Sequence, residues 1–494
     1  MPAPAIADTT REEYETTLAA AASAAPDLAA MPPAERAGLL RAVAGALRAH
    51  GDELVALADA DSSLGAPRLS GEIERTAGQL EMFADAVEEG SWLEAIIDRA
   101  DTGAPRPDLR RMLIPLGPVA VFGASNFPFA FGLAGGDTAS ALAAGCPVVA
   151  KAHPAQPRLS GAYARVVVDA LRAAGAPEGT FAVVHGMENG RKLVTDPRIT
   201  AVAFTGSTAA GRALADLAAA RPSPVPFYGE LGSLNPVFVT RDAARVRGKE
   251  IAVDFLASMS LGAGQFCTKP GVLFVPADSG LADVIAAEVS TDAMRVVHEG
   301  IGAAFRTGAE RLADHPAVRP LSVPGQDDAD PSIVRPVLLG TTAAEFARWS
   351  GDLLVECFGP FALVVTYADD GELTAAAELV DGNLTATVHG EPSGDAIAPV
   401  LVHALAGKAG RVIWNGWPTG VTVSWAQHHG GPYPATTSVH TSVGVTAIRR
   451  FLRPIAYQSV PDALLPPALR DANDLGVPRR VDGVVSDATL TTPR

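Results

Sequence analysis

Hydrophobic positions follow two different spacings along the chain. Between residues 33 and 57, and again between 71 and 87, apolar side chains recur every three or four positions, which predicts amphipathic helices. Beyond Pro107, short apolar runs alternate with stretches of helical spacing. Because strands that alternate with helices form parallel β-α-β units, this pattern predicts an α/β fold with a doubly wound sheet.

The alternating region divides into two blocks. The first has predicted strands at 116–123, 147–151, 180–185 and 199–205, with predicted helices at 137–144, 160–174 and 190–196. The second begins after Leu231 and has predicted strands at 237–240, 272–275, 361–367 and 412–414. Residues 439–445 and 449–457 are predicted to be extended, and they precede a tail rich in proline and aspartate at 461–494.

Charge and cysteine content exclude several classes of protein. The 494 residues include 39 Lys and Arg against 55 Asp and Glu, a formal net charge of −16. This acidic balance disfavours binding to a phosphate backbone, so no nucleic-acid partner is expected. The three cysteines, Cys146, Cys267 and Cys357, are too few and too scattered for a disulfide framework or a zinc site. A reducing, cytoplasmic location is therefore expected.

The mean hydropathy of +0.19 raises the question of a membrane span. Residues 112–136 carry no formal charge, but Pro115, Pro118, Pro128 and several glycines would break a spanning helix. We interpret this stretch as a buried strand followed by a turn. The first eleven residues lack the basic and apolar regions of a secretory signal, so no membrane partner is expected.

Three polar residues in glycine-rich or strand-end settings are candidates for catalysis. Cys267 follows a glycine-bearing turn and is either an accessible nucleophile or a buried structural thiol. Glu230 lies between glycines, where burial would raise its pKa as a general base requires; alternatively it is a solvated turn residue. Asn126 follows a predicted strand, where its amide either stabilises an oxyanion or serves the turn.

Two other segments have binding alternatives. The run from Phe204 to Gly211 opens a helix, whose N-terminus either receives a phosphate or is simply capped by Ser207 or Thr208. The pair His428 and His429 has no third ligand at a fitting spacing, so no metal site is predicted.

Taken together and in this order, these motifs resemble the aldehyde dehydrogenase superfamily. The matching residues are Asn126-Phe127-Pro128, Lys151, Phe204-Thr205-Gly206-Ser207, Glu230-Leu231-Gly232, Gln265-Phe266-Cys267-Thr268 and Glu356-Cys357-Phe358-Gly359-Pro360. The resemblance implies a Rossmann-type cofactor domain at 1–230, an α/β catalytic domain at 231–436 and a small β oligomerisation arm at 437–460, to which 109–124 also contribute. It further implies a homodimer or homotetramer, in which the tail at 461–494 either packs over a tunnel mouth or is loosely ordered.

The same resemblance implies a mechanism. Cys267 would attack the aldehyde carbon, and the Asn126 amide with the Cys267 backbone N–H would hold the resulting oxyanion. Glu230 would activate the water that hydrolyses the thioester to a carboxylate. A relative that transfers the acyl group to coenzyme A would need no such base, so a hydrolytic, non-acylating NAD(P)-dependent enzyme is expected.

Cofactor residues carried over from the family are Lys151 and Glu356 for the two riboses, Gly206 and Ser207 near the pyrophosphate, and Phe358 against the nicotinamide. The family often has a glutamate three residues after the lysine, and here that position is Pro154. Without that carboxylate to repel a 2′-phosphate, and with Lys151 and His153 to attract it, NADP is favoured and NAD is the alternative. Arg212 is either another phosphate partner or a surface residue.

Further motifs resemble the branch that holds α-ketoglutarate semialdehyde (2,5-dioxovalerate) dehydrogenases and a long-chain aldehyde dehydrogenase. They are 123–129, 232–236 and 430–436. In the family, the helix at 74–84 lines the substrate tunnel, and Arg75 and Gln79 share one of its faces. Arg75 either binds a substrate carboxylate or pairs with a surface acid.

The substrate prediction is accordingly a small-molecule aldehyde, with α-ketoglutarate semialdehyde preferred. The alternative is a long-chain or aromatic aldehyde, for which Phe127, with Phe83, Trp417 and Trp425, would supply an apolar tunnel. A catalytically idle scaffold of the same fold is the remaining alternative.

Overall fold

The computed structural model describes residues 6–101, 106–326 and 328–488. The first five residues of the predicted cofactor-binding unit and the last six of the predicted tail, 489–494, lie outside this part of the chain.

The helices are numbered in chain order. They are α1 Arg11–Ala30, α2 Pro33–Ala49, α3 Gly51–Ser62, α4 Ala66–Glu89, α5 Gly136–Ala144, α6 Leu159–Ala173, α7 Met187–Thr195, α8 Thr208–Ala219, α9 Arg241–Ser260, α10 Leu281–Glu288, α11 Glu299–Ala313, α12 Ala343–Arg348, α13 Ser350–Leu353, α14 Asp370–Leu379 and α15 Ala398–Ala406. The helical spacing at 33–57 belongs to two helices, because the chain leaves helical geometry at His50, whose N–H closes α2 on Ala46.

The strands are also numbered in chain order. They are β1 Ala95–Asp98, β2 Leu109–Pro115, β3 Val119–Phe122, β4 Val148–Lys151, β5 Phe181–Val184, β6 Ala201–Thr205, β7 Phe227–Glu230, β8 Val237–Val239, β9 Val272–Pro276, β10 Met294–Arg295, β11 Arg319–Ser322, β12 Ile333–Val334, β13 Val337–Thr342, β14 Phe361–Tyr367, β15 Asn383–His389, β16 Ala409–Trp414, β17 Leu452–Gln458, β18 Arg479–Val481 and β19 Val484–Ser486.

A parallel sheet with the order β5-β4-β3-β6-β7 forms the first half of the molecule. All residues of β3 and β4 are buried, as expected where helices cover both faces. The strand order reverses between β3 and β6, and in such sheets ligands bind in the crevice at the carboxyl ends of the strands near the reversal. The predicted doubly wound fold is thereby confirmed.

The second sheet has the order β11-β13-β14-β9-β8-β15-β16 and is parallel except for β11. Its strand β15 was not predicted, because Asn383, Thr385 and Thr387 interrupt the apolar run. Two of them are hydrogen-bonded to other buried polar groups: Thr385 Oγ1 donates to Asn235 Oδ1 at 3.0 Å, and Asn383 Oδ1 accepts from Ser233 Oγ at 3.2 Å. Thr387 Oγ1 is buried without a hydrogen-bond partner in the described structure. A polar strand is thus stable inside this sheet.

The third sheet has the order β17-β2-β1-β18-β19. Its β2 and β17 pair antiparallel from Leu109↔Gln458 to Pro115↔Leu452, so part of the segment 109–124 and part of the segment 437–460 lie in one sheet. The described part of the tail is not loosely ordered. It adds β18 and β19 to this sheet and buries Leu469 and Val477.

Two other sequence predictions can be compared with the structure. Residues 439–445 are not extended; they form an irregular segment that leads into a 3₁₀ helix at Val445–Phe451. The uncharged stretch at 112–136 contains the end of β2, all of β3 and a turn, as predicted. Among the described residues, no helix combines the length and the apolar character needed to cross a membrane.

Candidate active site

A cavity of about 690 Å³ opens at the carboxyl ends of β3, β6 and β7. Its volume is in the range of small-molecule and cofactor sites. Many residues predicted from the sequence line it together: Asn126, Phe127, His153, Gly206, Ser207, Glu230, Cys267, Glu356 and Phe358. Lys151, Arg212, Arg75 and Gln79 are not among its lining residues.

Cys267 follows α9 and a tight turn. The turn places Gly262, Ala263 and Gly264 in succession in the left-handed region, with φ of 56°, 57° and 67°. A Cβ on Gly264 would lie 2.3 Å from the Gly359 backbone, so only glycine fits this close approach. Asn235 Nδ2 then donates to the Cys267 carbonyl at 2.8 Å and fixes the end of the turn.

Asn126 is tied to the same turn. Its side-chain Nδ2 donates to the Gln265 carbonyl at 2.8 Å, and its backbone carbonyl accepts from Arg68 Nη2 at 2.7 Å. An amide NH₂ has two hydrogens, so one remains for a ligand oxygen. This arrangement can stabilise an oxyanion beside Cys267.

Glu230 ends β7 and is buried. Its Oε2 accepts from Ser442 Oγ at 2.7 Å, and its Oε1 lies 3.0 Å from His429 Nε2. Burial alone would raise the pKa of Glu230, but His429, Ser442 and Cys267 outweigh it and lower that pKa. The raised pKa expected from the sequence is therefore wrong, because partners distant in sequence stabilise the charged form.

The Cys267 thiol has the opposite shift. Burial and the nearby Glu230 carboxylate raise its pKa well above the usual value, while Arg75 opposes the shift. The same histidine, His429, brings Nε2 to 3.5 Å from Cys267 Sγ. Cys146 and Cys357 are both buried, and burial raises the pKa of Cys146 to about 11 and that of Cys357 to about 12.

Sequence reasoning missed His429 as a member of this site. Its side chain is 1% exposed, and its backbone N–H donates to Thr441 Oγ1 at 2.7 Å. The ligand atoms of Glu230, Cys267 and His429 all lie within 4.8 Å of one another. The only sequence signal was the histidine pair before Gly430, which identified no partner because the partners lie far away in the chain.

The opposite end of the cavity suits a nucleotide. Ser207 Oγ caps α8 by accepting from the Ala210 N–H at 3.4 Å, and the first turn of α8 faces the cavity with its N-terminal dipole. Thr208 Oγ1 accepts from the Gly232 N–H at 3.0 Å. A Cβ on Gly232 would lie 2.4 Å from Glu356 Oε2, so glycine allows this carboxyl to approach the helix.

Glu356 also belongs to this nucleotide end of the cavity. Burial raises its pKa to about 7, and Lys269 opposes that shift. At neutral pH its carboxyl can therefore both accept and donate hydrogen bonds, which suits sugar hydroxyls. The helix N-terminus and this carboxyl together fit a dinucleotide cofactor.

Three residues predicted to contact the cofactor have surroundings that differ from one another. Lys151 Nζ lies 3.5 Å from Met187 Sδ, and burial lowers the Lys151 pKa. Burial, His298 and Lys151 lower the pKa of His153 to about 3, so at neutral pH His153 is not the cation expected from the sequence. Arg212 is an exposed residue of α8 that hydrogen-bonds the Tyr433 hydroxyl.

Two arginines lie near Cys267. Arg75 Nη2 donates to the Val421 carbonyl at 3.4 Å, and its guanidinium lies 5.5 Å from the centre of the Phe131 ring. Arg411, which was not predicted from the sequence, donates from Nη1 to the Gly420 carbonyl at 2.7 Å and from Nη2 to the Pro418 carbonyl at 2.9 Å. Arg75 Nη1 and Arg411 Nε are buried without a hydrogen-bond partner in the described structure.

The charges of both arginines interact with Cys267. Gln79 shares the helix with Arg75, is 2% exposed and packs against Gly136, and its Nε2 is buried without a hydrogen-bond partner in the described structure.

Aromatic side chains form the wall near Asn126. Phe127 packs edge-to-face on Phe266, with ring centroids 5.2 Å apart, and on Phe131 at 5.7 Å. The other aromatics expected for an apolar tunnel lie elsewhere: Phe83 is in the core, Trp417 packs on Phe255, and Trp425 is 53% exposed.

Comparison with known proteins agrees with this geometry. A family model described as the aldehyde dehydrogenase family matches residues 3–298. The chain is 43% identical over 464 residues to alpha-ketoglutaric semialdehyde dehydrogenase 2 of Azospirillum brasilense, covering 92% of this chain and 88% of that protein. It is 40% identical over 460 residues to the alpha-ketoglutaric semialdehyde dehydrogenase of Acinetobacter baylyi, covering 92% of this chain and 87% of that protein.

Solved structures share the fold. Succinic semialdehyde dehydrogenase from Streptococcus pyogenes, in complex with NADP⁺, superposes with a TM-score of 0.76 at 17% identity, covering 92% of this chain and 96% of that one. Aldehyde dehydrogenase 21 from Physcomitrella patens, in complex with succinate, superposes with a TM-score of 0.74 at 19% identity. The match covers 93% of this chain and 92% of that one.

Proposed function

Because this chain belongs to the aldehyde dehydrogenase family, we propose that its cavity oxidises α-ketoglutarate semialdehyde to 2-oxoglutarate through a thioester on Cys267. The protein is an NAD(P)-dependent aldehyde dehydrogenase. The observation that carries the substrate proposal is the pair Arg75 and Arg411, each of which has a buried donor without a partner and a charge that interacts with Cys267.

Cys267 supplies the nucleophile. Its thiolate attacks the aldehyde carbon, and the free hydrogen of Asn126 Nδ2 with the Cys267 backbone N–H holds the oxygen, which becomes negative. The support is positional, since Asn126 is hydrogen-bonded to the turn that carries Cys267. A bound NAD(P)⁺ would supply the hydride acceptor that the oxidation requires.

Glu230 supplies the base for hydrolysis. Since its lowered pKa keeps it ionised at neutral pH, the carboxylate can take a proton from the water that attacks the thioester. Its burial next to Cys267 supports hydrolysis over transfer to coenzyme A.

The cofactor would be held by groups at the other end of the cavity. The N-terminus of α8, with Gly206 and Ser207, would bind the pyrophosphate, Glu356 a ribose and Phe358 the nicotinamide side. NADP is preferred over NAD because Pro154 stands where a carboxylate would repel the 2′-phosphate. Lys151 would provide the nearby positive charge; Arg212 and a neutral N–H of His153 are additional donors.

The two arginines would bind the carboxylate at the far end of the substrate. A buried donor left without a partner is unfavourable, and a carboxylate would satisfy both Arg75 Nη1 and Arg411 Nε. Two relatives that align with 92% of the chain are named for this substrate. A long-chain aldehyde would leave these donors unpaired.

We also propose a homodimer or homotetramer in the cytoplasm. In the described structure β17 and β19 are the edges of the third sheet, and Val484 and Val485 on β19 are 67% and 60% exposed. A second copy of the chain would cover such an edge. Light scattering of the purified protein measures its molar mass in solution, and the mass of a monomer would overturn the proposed oligomer.

The substrate experiment compares initial rates of reduced-cofactor formation with NAD and with NADP. Each is tested on α-ketoglutarate semialdehyde, succinate semialdehyde and a long-chain aldehyde. We expect the highest kcat/KM for α-ketoglutarate semialdehyde with NADP. Preference for the long-chain aldehyde would overturn the substrate proposal, and no activity on any aldehyde would favour the idle scaffold.

A further inference from the structure

Arg68, near the start of α4, contacts both segments that carry the proposed catalytic groups. Its Nη2 donates to the backbone carbonyl of Asn126 at 2.7 Å. Its guanidinium carbon lies 4.9 Å from the centre of the Phe127 ring and 5.3 Å from the centre of the Phe266 ring. Phe127 directly follows Asn126 in the chain. Phe266 directly precedes Cys267, so one guanidinium touches both the loop of the oxyanion amide and the turn of the nucleophile.

The chemistry of these contacts suits an arginine. A guanidinium is planar and permanently charged, so it can lie over aromatic rings while it donates a charge-assisted hydrogen bond. A Cβ on Gly262 would lie 2.9 Å from Arg68 Nη1, so the guanidinium also lies against the left-handed turn before the nucleophile. Ala263 in that turn has a φ of 57°, a conformation that a residue other than glycine keeps only when surrounding contacts hold it.

The same helix also holds the far end of the Asn126 loop. Glu72, one turn after Arg68, accepts through Oε1 from the Phe129 N–H at 2.8 Å and from the Ala130 N–H at 2.9 Å. A cation on a carbonyl and a carboxyl on two N–H groups match the polarity of the backbone that they bind. The loop is therefore fixed to α4 at two points, and the Arg68 contact is the one next to the catalytic amide.

We propose that Arg68 is a positioning residue, which holds the Asn126 amide where it can bind the oxyanion formed at Cys267. The inference rests on the proposed function, in which Asn126 Nδ2 donates to the substrate oxygen. Arg68 is not among the described residues that line the cavity, so it acts through Asn126 and not on the substrate. Without Arg68 the loop loses a charged donor, and a displacement of about 1 Å in such a group can lower a rate on the order of 10²-fold.

The first test compares Arg68→Met with wild type. Methionine keeps an apolar side chain against the two rings but removes the charge and the hydrogen bond. The matched control is Arg198→Met, because Arg198 is also half-buried but pairs with Asp196 away from the cavity. Initial rates are measured at saturating cofactor with α-ketoglutarate semialdehyde and with an aldehyde that has no carboxylate.

We expect Arg68→Met to lower kcat/KM about 10- to 100-fold for both aldehydes, because a misplaced oxyanion donor affects every aldehyde. The KM for cofactor should stay unchanged, and Arg198→Met should match wild type. A rise in KM confined to the aldehyde with a carboxylate would instead make Arg68 a substrate-binding residue and overturn the proposal.

A double-mutant cycle shows whether Arg68 acts through Asn126. Asn126→Ala alone should lower the rate about 10²- to 10³-fold, the usual cost of an oxyanion donor. Adding Arg68→Met to Asn126→Ala should then cost less than about threefold, because no amide is left to position. If the two losses multiply, Arg68 acts independently of Asn126 and the positioning role is wrong.

The reactivity of the thiol separates positioning from a general disturbance of the turn. The charges that act most strongly on the Cys267 thiol are those of Glu230, Glu356 and Arg75. Alkylation of Cys267 by iodoacetamide, without aldehyde and cofactor, should therefore proceed at the wild-type rate in Arg68→Met. A changed rate would show that the whole turn has moved, which would overturn the proposal.

Arg68→Lys is the second variant in case Arg68→Met does not fold, and cofactor binding followed by quenching of tryptophan fluorescence shows which variants are folded. Lysine keeps the charge and can donate to the carbonyl, but it cannot lie flat over two rings, so a loss of about three- to tenfold is expected. This loss should also disappear when Asn126→Ala is added, and a loss that persists would contradict the proposal.

Failure of this inference and failure of the proposed function are distinguishable. If Cys267→Ala or Asn126→Ala keeps full activity, the proposed mechanism is wrong, and the inference is overturned with it. If both of these variants lose activity while Arg68→Met keeps the wild-type kcat/KM, only the role of Arg68 is wrong.

Discussion

The Oε1 of Glu230 lies 3.0 Å from the Nε2 of His429, although the two residues are 199 positions apart in the chain. Both side chains are buried, so their interaction is little screened by water. This contact, together with Ser442, reverses the shift that burial would give the carboxyl. Through His429 it also connects Glu230, the proposed base for hydrolysis, to Cys267, the proposed nucleophile.

Replacing Cys267 with Ala should abolish turnover, because no other thiol in the described cavity is placed beside Asn126 and Glu230. Cofactor binding, measured by fluorescence titration, should survive. Cys146→Ala is the matched control, since Cys146 is buried away from the cavity and should keep full kcat. Oxidation near the wild-type rate in Cys267→Ala would contradict the assignment.

Glu230→Gln should separate the two halves of the reaction. The amide keeps the shape but cannot take a proton, so steady-state turnover should fall about 10²- to 10⁴-fold while a burst of reduced cofactor remains. Mass spectrometry of the quenched enzyme should show the acyl group on Cys267. Loss of the burst together with turnover would instead place Glu230 in acylation.

Arg75→Met and Arg411→Met should each raise KM for α-ketoglutarate semialdehyde about 10- to 100-fold. This follows from the loss of a charged hydrogen bond worth about 1.5–3 kcal/mol. An aldehyde without a carboxylate should be affected little by either change. Arg172→Met, on the surface of α6, is the control. Equal losses on both aldehydes would contradict a role in carboxylate binding.

The pH dependence of hydrolysis should reflect the lowered pKa of Glu230. Because the folded protein favours the carboxylate, deacylation should persist as pH falls through the ordinary range of a glutamate and be lost only below it. Ser442→Ala removes one hydrogen bond to the carboxylate and should move this acid limb to higher pH. Single-turnover rates of thioester decay, measured against pH, give the profiles of the wild type and of Ser442→Ala. If the acid limbs of the two profiles coincide, Ser442 does not affect the carboxylate.

Pro154→Glu should shift cofactor preference from NADP towards NAD. The new carboxylate would repel a 2′-phosphate, and Pro154 is exposed, so the fold should tolerate the change. We expect KM for NADP to rise about tenfold, the effect of about 1.4 kcal/mol, with KM for NAD unchanged or lower. Pro154→Gln separates charge from the loss of proline: if both variants behave alike, repulsion is not the cause.

Local patterns in the sequence were sufficient for much of the architecture. Strands β3, β4, β5 and β6 were predicted because buried parallel strands are short, continuous apolar runs. Strand β15 was missed because its polar residues Asn383 and Thr385 are hydrogen-bonded by Ser233 and Asn235, whose side chains come from another part of the chain. The break at His50 was missed because helical spacing continues on both sides of it.

The sequence by itself was sufficient for the family resemblance and for the choice of Cys267, Glu230 and Asn126 as candidate catalytic residues, because each stands in a short motif of fixed local chemistry. Tertiary structure alone decided the surroundings of those residues. His429 and Arg411 reach Cys267 only through the packing of distant strands and loops. The lowered pKa of Glu230 and the neutral state of His153 likewise follow from burial and from charges brought close in space. Electrostatic interactions depend on distance and desolvation, neither of which a linear sequence contains.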